Sequence, residues 1–482
     1  MRNSENKDIL QLYILFILSV GVIYKLPTMV GAMFQILLLI AFWRSKRDYF
    51  WLAFVLIITS EPGFLFAAID AVHSFSFLPD SPFGNLYFYL VFLLLAFFKY
   101  YQTKMRPSFF LKANLILIFS YLSIQLMAFG VYKMTAFIRM VLPWLLLFIM
   151  PRMLKKEEDM AKFFKLVFSF TFFVIITQIY KLQTGVEFAT LLGGVASEVA
   201  KARGGIEEVG AALRPLYGIF IPFFAIWGSI YYLTLKKNYF SRQYLNLILG
   251  LSIFSIFITA TRSWSIAALF MAIFYIIISS RHPLRTLSQV AIAAVFIFAM
   301  VRIVPFLEKQ VELSLARYET LEYFAKGDIT AGGTTKRFDV RVKRPMAGFA
   351  ANPIFGWGVG QEYQRYRDGH IGYHNLLMSS GLIGFTFWML LWLNFIRKMM
   401  ETYLKFQKKH HYKNVPLVLI AFAGSIFIIH TTAQWFGYLM GFNTALAIAL
   451  LFTMGHRMYC MNKMALRVQQ ASKQTKIRLQ TP

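Results

Sequence analysis

Charge is scarce in this chain. Asp, Glu, Lys and Arg together make up 15% of its 482 residues, and the acids number only 22 against 50 Lys and Arg. So small a charged fraction is too little to cover a water-soluble protein of this length. Cysteine is down to one, Cys460, which excludes an intramolecular disulfide. Strict polar/apolar alternation is missing, and with it the signature of a membrane β-barrel. There is no repeat of fixed period and no low-complexity domain, so solenoids and long linkers drop out.

What fills the space is hydrophobic: 58% of the chain, gathered in runs of about the length that crosses a bilayer. Backbone groups in lipid must be satisfied within the segment, so continuous apolar runs predict helices and an all-α, polytopic integral membrane protein. The runs are Ile9–Tyr24, Thr28–Trp43, Trp51–Asp70, Leu86–Gln102, Asn114–Met134, Ala136–Met150, Leu166–Leu182, Leu216–Leu235, Leu247–Thr261, Ile266–Ser279, Val290–Leu307, Leu376–Ile396, Val415–Thr431 and Tyr438–Met454. That gives about 14 transmembrane helices in a single membrane domain over residues 1–482. No small-residue cleavage site follows the first run, which reads as a retained span.

A formal charge of +28 would by itself suggest a nucleic-acid partner. Here the basic residues fall mainly in every second link between spans, such as Arg44, Lys46 and Arg47 or Arg152, Lys155 and Lys156. By the positive-inside rule those links are cytoplasmic, both termini with them, and the charge reports topology and attraction to anionic membrane lipids, with no nucleic acid. The opposite face has two substantial loops, 183–215 and the larger 308–374, which precedes the twelfth span and is periplasmic in this orientation. In the larger loop, Val311 to Glu319 predicts an amphipathic helix on the membrane surface and Gly327 to Thr335 a flexible stretch.

Chemistry needs groups that lipid-facing helices do not. Arg262 stands at the outer end of one span, where it either snorkels to the interface or binds an anion through its forked guanidinium. Arg203 and Arg214 lie in the first outer loop, with Glu207 and Glu208 as candidate partners. Arg337, Arg341 and Arg344 share one face at helical spacing, fit either for a diphosphate or for lipid headgroups. His374, beside Asn375 at the start of a span and after the turn Gly356, Gly358 and Gly360, is placed to remove a hydroxyl proton or to cap the helix. His370 precedes it by one helical turn, but no third ligand stands at metal-site spacing, so no metal or other cofactor is implied. Glu61 interrupts an apolar run before Pro62-Gly63, which breaks the helix and makes the acid an arginine partner or cavity residue. His430, with Gln434 and Trp435 at another outer helix end, either walls the same cavity or anchors the interface.

Taken together, Thr259-Ala260-Thr261-Arg262, the segment from Arg337 to Gly358 with Asn352-Pro353-Ile354-Phe355-Gly356-Trp357-Gly358, and His374-Asn375 followed by Gly381-Leu382-Ile383-Gly384 resemble the O-antigen ligase and polymerase superfamily. The motif-bearing part runs from about Leu216 to Ile396. The resemblance implies a metal-independent, GT-C-like glycosyltransferase. Such an enzyme passes a glycan from undecaprenyl diphosphate to an acceptor hydroxyl on the outer face of the cytoplasmic membrane. Carried onto this chain, Arg262 and Arg337 hold the donor diphosphate, His374 is the general base, and Arg203 matches the arginine of the earlier outer loop. Two positions depart from the family: Ser263-Trp264 follows Arg262 where a glycine soon follows in the family, and Arg341 replaces a tryptophan four residues after the second arginine. Arg337 and Arg341 are therefore both candidates for the diphosphate.

The acceptor separates the members of that family. A lipid-linked repeat unit makes the chain a polymerase of O-antigen or exopolysaccharide, the reading that the number of spans and the long loop favour, with a chain-length regulator as a candidate partner. Lipid A-core makes it a ligase, and a protein acceptor an O-oligosaccharyltransferase. From another class, a polysaccharide flippase would show inverted repeats or several broken, charged helices, of which Glu61-Pro62 is the one hint.

Overall fold

A computed structural model describes residues 2–66, 87–101, 110–193, 214–235, 237, 239–279, 284, 308, 310–312, 334–406 and 410–480. In chain order the helices are α1 (Arg2–Lys25), α2 (Thr28–Arg44), α3 (Asp48–Ser60), α4 (Phe88–Tyr101), α5 (Lys112–Phe129), α6 (Met134–Val141), α7 (Leu146–Met153) and α8 (Glu157–Thr184). Then follow α9 (Phe220–Thr234), α10 (Arg242–Ile258), α11 (Arg262–Ser279), α12 (Thr334–Ala351), α13 (Gln361–Tyr366), α14 (Gly372–Lys405), α15 (Val415–His430) and α16 (Phe442–Gln480). Among the described residues, β-type pairing is confined to an isolated bridge between Val131 and Val359. Five helical stretches among the described residues are long and apolar enough to cross a membrane: Asn6–Lys25, Lys112–Phe129, Glu157–Thr184, Arg262–Ser279 and Gly372–Lys405. The architecture is that of a helical membrane protein.

The helices are apolar on more than one face, as a lipid solvent allows. In α11, Trp264, Ala267, Ala268 and Met271 are buried in the bundle while Ile266, Leu269, Ile273 and Ile277 point outward. Water would strip such a stripe from the surface, whereas hydrocarbon is indifferent to it.

Hydrogen bonds sort the helix ends into two sets. At one end Arg47 pairs with Asp8 at 2.8 Å, Lys99 with Asp48 at 2.8 Å, and Arg152 donates to the Tyr100 carbonyl. There, too, Glu157 pairs with Arg457 at 3.3 Å and accepts from Tyr231 and Tyr232. At the other end the Gly218 amide donates to the Ser60 carbonyl, Gln310 to the Ile258 carbonyl, Tyr132 to the Val359 carbonyl, and Thr432 to the Ser263 hydroxyl. Membership alternates along the chain, as an up-and-down bundle requires, and the basic residues named here are at the first end.

Several boundaries differ from those expected. The run Trp51–Asp70 stops being α-helical at Ser60, where Glu61 adopts a left-handed conformation (φ 51°) and Pro62–Phe64 forms a 3₁₀ turn. The run Ala136–Met150 is cut by a 3₁₀ turn at Leu142–Leu145, which contains Pro143. The last helix runs on to Gln480, far beyond Met454. The span Val290–Leu307, most of the Val311–Glu319 helix and residues 327–333 of the expected flexible stretch lie outside the described residues.

The largest departure is in α14, which breaks at Gly381 (φ 60°, ψ −175°). A broken helix leaves carbonyls and amides without partners, which is costly in a dry environment. The Asn352–Gly358 loop supplies them. Trp357 and Gly358 amides donate to the Met378 and Ser379 carbonyls at 3.1 and 2.8 Å, and Leu382 and Ile383 amides donate to the Pro353 and Ile354 carbonyls at 2.9 and 3.3 Å. Gln125 donates to the Phe355 and Ser379 carbonyls, and Tyr121 to the Phe355 carbonyl, closing the clasp from α5. A Cβ on Gly356 would sit 2.3 Å from the Gly381 nitrogen, and one on Gly381 2.3 Å from the Ile354 oxygen. Gly356 of the Asn-Pro-x-x-Gly-x-Gly motif and Gly381 thus permit one backbone to lie against another, while Gly358 leaves room for the Gln125 side chain.

Candidate functional site

The Arg262 turn forms because α10 ends on threonines. Thr259, fully buried, donates to the Ile256 carbonyl at 2.7 Å, and the Thr259 and Thr261 hydroxyls lie 3.1 Å apart. Between them Ala260 takes φ 50°, a left-handed conformation that strains a residue with a Cβ by about 1–2 kcal/mol. The chain then re-enters as α11, with Arg262 as its first residue. Arg214 reaches the same turn, its Nη2 3.4 Å from the Thr261 hydroxyl. Its approach is fixed by Gln178, which donates to the Pro215 carbonyl and accepts from Ser255, and by Lys181, which donates to the Arg214 carbonyl while paired with Glu187 in the core. Arg214 and Arg262 thus both belong to one helix N-terminus, whose dipole favours anions. Arg203 lies outside the described residues.

The second group is built from α12, α13 and α14. Arg337, Arg341 and Arg344 lie on the continuous helix α12, at spacings that put them on one face. Arg344 donates twice to the Arg365 carbonyl, tying α12 to α13. Arg341 pairs with Asp368 at 3.7 Å. Asp368 is held in turn by Asn375, which is fully buried; its Oδ1 accepts from the Asp368 amide at 3.0 Å and its Nδ2 donates to the Asp368 carbonyl. Asn375 is a positioning residue here. Its neighbour His374 is half-buried and has no hydrogen-bond partner among the described residues. Among the described residues no group of three or more His, Cys, Asp or Glu is arranged to hold a metal ion.

The C-terminal end of α15 joins these two groups. Thr432 donates to the Ser263 hydroxyl at 2.7 Å, next to Arg262. On the other side, a Cβ on Gly372 would come within 2.0 Å of the His430 carbonyl oxygen, so the start of α14 lies directly against this end. His430 is fully buried, its Nδ1 accepts the Trp435 and Phe436 amides at 2.9 and 3.3 Å, and its ring lies between Tyr373 and Phe436. An accepting Nδ1 puts the proton of a neutral ring on Nε2. His430 is a core residue that holds the α15 terminus. Trp435 packs on Trp264 and Phe220, and Gln434 accepts from Tyr363 at 3.0 Å. Burial pushes the Tyr363 hydroxyl pKa up, with that hydrogen bond opposing it.

Glu61 lies on the wall of a cavity of about 290 Å³ shared by α3, α4, α9 and the start of α16. The break expected at Pro62-Gly63 is present, and Gly218 packs against Pro62 behind it.

Asp368, Thr432 and Gln125 carry much of this geometry and were not singled out from the sequence. Asp368 had a signal, as an acid a few residues before His374; a threonine at a helix end and a lone glutamine in an apolar run gave none. No family model matches the chain, and no curated protein matches it.

Proposed function

We propose that this chain is a membrane glycosyltransferase of the O-antigen polymerase and ligase type, acting on the periplasmic side of the bacterial cytoplasmic membrane. The observation that carries the reading is the convergence of the Arg262 turn and the His374 helix start on the same end of α15, through Ser263–Thr432 on one side and Gly372–His430 on the other. A cationic pair and a half-buried imidazole with no hydrogen-bond partner among the described residues suit transfer from a diphosphate-linked glycan.

In this mechanism Arg262, with Arg214, neutralises the diphosphate of an undecaprenyl-linked donor. Arg337 or Arg341 joins them from α12, Arg341 by exchanging its pairing with Asp368 for the diphosphate. His374 takes the proton of the acceptor hydroxyl as its oxygen bonds to the anomeric carbon. The carbon–oxygen bond to the diphosphate breaks, and the electron pair leaves with the lipid diphosphate. Attack opposite the leaving group inverts the anomeric centre, and no protein nucleophile, metal or other cofactor takes part. The fourteen spans and the GT-C-like arrangement belong to the same proposal, as does the outward orientation of the Arg262 end, which follows from basic residues at the opposite end.

We take the acceptor to be a second lipid-linked repeat unit. The test is transfer by the purified chain from a lipid-linked glycan, with wild type against His374→Ala. Transfer that persists in a folded His374→Ala protein, or a product that retains the donor's anomeric configuration, overturns the mechanism. In a deletion strain, single repeats on lipid A-core indicate a polymerase, and long chains stranded on undecaprenyl diphosphate indicate a ligase.

A further inference from the structure

A narrow groove between the α5–α6 link and helix α13 carries two cations that the mechanism does not use. Lys133 stands on one wall and Arg367 on the other, with Tyr132, Tyr363 and Gln364 beside them. The walls are pinned to each other. Val131 and Val359 form the isolated bridge, the Tyr132 amide donates to the Val359 carbonyl at 3.1 Å, and a Cβ on Gly360 would sit 2.7 Å from the Phe129 carbonyl oxygen. Arg367 ends α13, its amide donating to the Tyr363 carbonyl at 2.9 Å. Burial raises the pKa of the Tyr363 hydroxyl, and both its hydrogen bond to Gln434 and the nearby Arg367 guanidinium oppose that rise.

Charge and size together define what fits. Among the described residues that line the groove, two are cations and none is a carboxylate. The acids that flank it in the chain pair with other cations, Glu362 with Arg365 at 3.5 Å and Asp368 with Arg341 at 3.7 Å. The groove therefore favours an anion. Its volume of about 20 Å³ is a little more than the roughly 10–15 Å³ that one water requires, too small for a sugar ring or a diphosphate. A carboxylate is planar and compact, matched to the fork of a guanidinium and to the donors of an ammonium and a side-chain amide. Carried on a sugar, it enters the groove while the ring stays outside, against the exposed ring of Tyr132. The groove is also next to the proposed base. Arg367 and His374 are the chain neighbours of Asp368 and Asn375, which are joined by two hydrogen bonds.

We propose that this groove is a specificity site for an acidic sugar, in which Arg367 and Lys133 hold the carboxylate of a uronic acid in the glycan that offers its hydroxyl to His374. The inference rests on the glycosyl-transfer reading and adds to it a substrate class, the acidic repeat unit.

Saturation-transfer NMR titrations on the purified full chain test it, with methyl glucuronide, its neutral counterpart methyl glucoside, and glycerol phosphate as the stand-in for a lipid headgroup. The expected result is glucuronide binding about tenfold tighter than glucoside binding, a preference that Arg367→Gln and Lys133→Gln each cut to about twofold or less and that high salt weakens. Both side chains are exposed, and neither variant should move the unfolding midpoint. Equal binding of the two glycosides by wild type, no glucuronide signal, or an undiminished preference in either folded variant overturns the site. Glycerol phosphate that binds more tightly than glucuronide overturns it in favour of a lipid headgroup. A parallel transfer assay with a lipid-linked donor keeps the two readings separate. Transfer that occurs while glycoside binding ignores Arg367 rejects the acidic-sugar site alone. Arg367-dependent glucuronide binding without any transfer rejects the glycosyltransferase and leaves an acidic-sugar site.

Discussion

The amide of Asn375 brackets the main chain of Asp368, accepting its N–H and donating to its carbonyl, while the Asp368 carboxylate pairs with Arg341. One buried side chain thereby sets the turn that leads into His374 and, through Asp368, the position of an arginine on α12. Replacing Asn375 with Leu strands both main-chain groups, and the expected loss is about 2–4 kcal/mol, read as a lowered unfolding midpoint in detergent. Asn375→Asp keeps the acceptor and should be milder. If the leucine variant unfolds where wild type does, the bracket has no structural weight.

The two histidines at this end should separate. His374→Ala removes a group with no hydrogen-bond partner among the described residues and is expected to leave the unfolding midpoint within about 0.5 kcal/mol of wild type while abolishing glycan transfer. His430→Phe orphans the Trp435 and Phe436 amides and should lower stability by about 2–4 kcal/mol. The same thermal series measures both, and an unstable His374→Ala with a stable His430→Phe would reverse the assignment.

Glycine substitutions probe the clasp. Gly381→Ala and Gly356→Ala each drive a Cβ to 2.3 Å from a backbone atom at a positive φ, and both should cost about 3 kcal/mol or more. Gly369→Ala meets nothing within 4 Å and is the control, with an effect within about 0.5 kcal/mol. Similar midpoints for all three would show that the loop and helix do not touch.

Thr432→Val cuts the hydrogen bond between the α15 end and the Arg262 turn. A loss of about 1 kcal/mol is expected, together with a fall in transfer rate larger than that stability change explains. Ser263→Ala should reproduce it without adding to it in the double variant, since the two side chains share one bond. Additive effects would place the two residues in separate roles.

Helices were the readable part of this sequence because apolar runs are continuous and long. The break at Pro62-Gly63 was readable for the same local reason, a residue that cannot continue a helix. Gly381 was not, because a glycine within an apolar run is ordinary; its break depends on a loop some 20 residues upstream arriving with matching amides and carbonyls. Similar reasoning applies at the candidate site. Arg262, Arg214 and His374 announced themselves as polar groups at span ends. His430 looked the same from sequence but turns inward to take two main-chain amides, and Arg344 is committed to a carbonyl; only three-dimensional neighbours distinguish these fates.

The clasp also has an order in time. Residues 352–358 leave the ribosome before residues 378–383, so the hydrogen-bonding partner of the broken helix is synthesised ahead of the break that needs it. The loop and the first half of α14 can therefore close as one re-entrant unit during insertion. A circular permutant opened between Gly360 and Gly372 would make the helix first and deliver its partner last, which should leave the break facing hydrocarbon and send the chain to degradation rather than to the membrane.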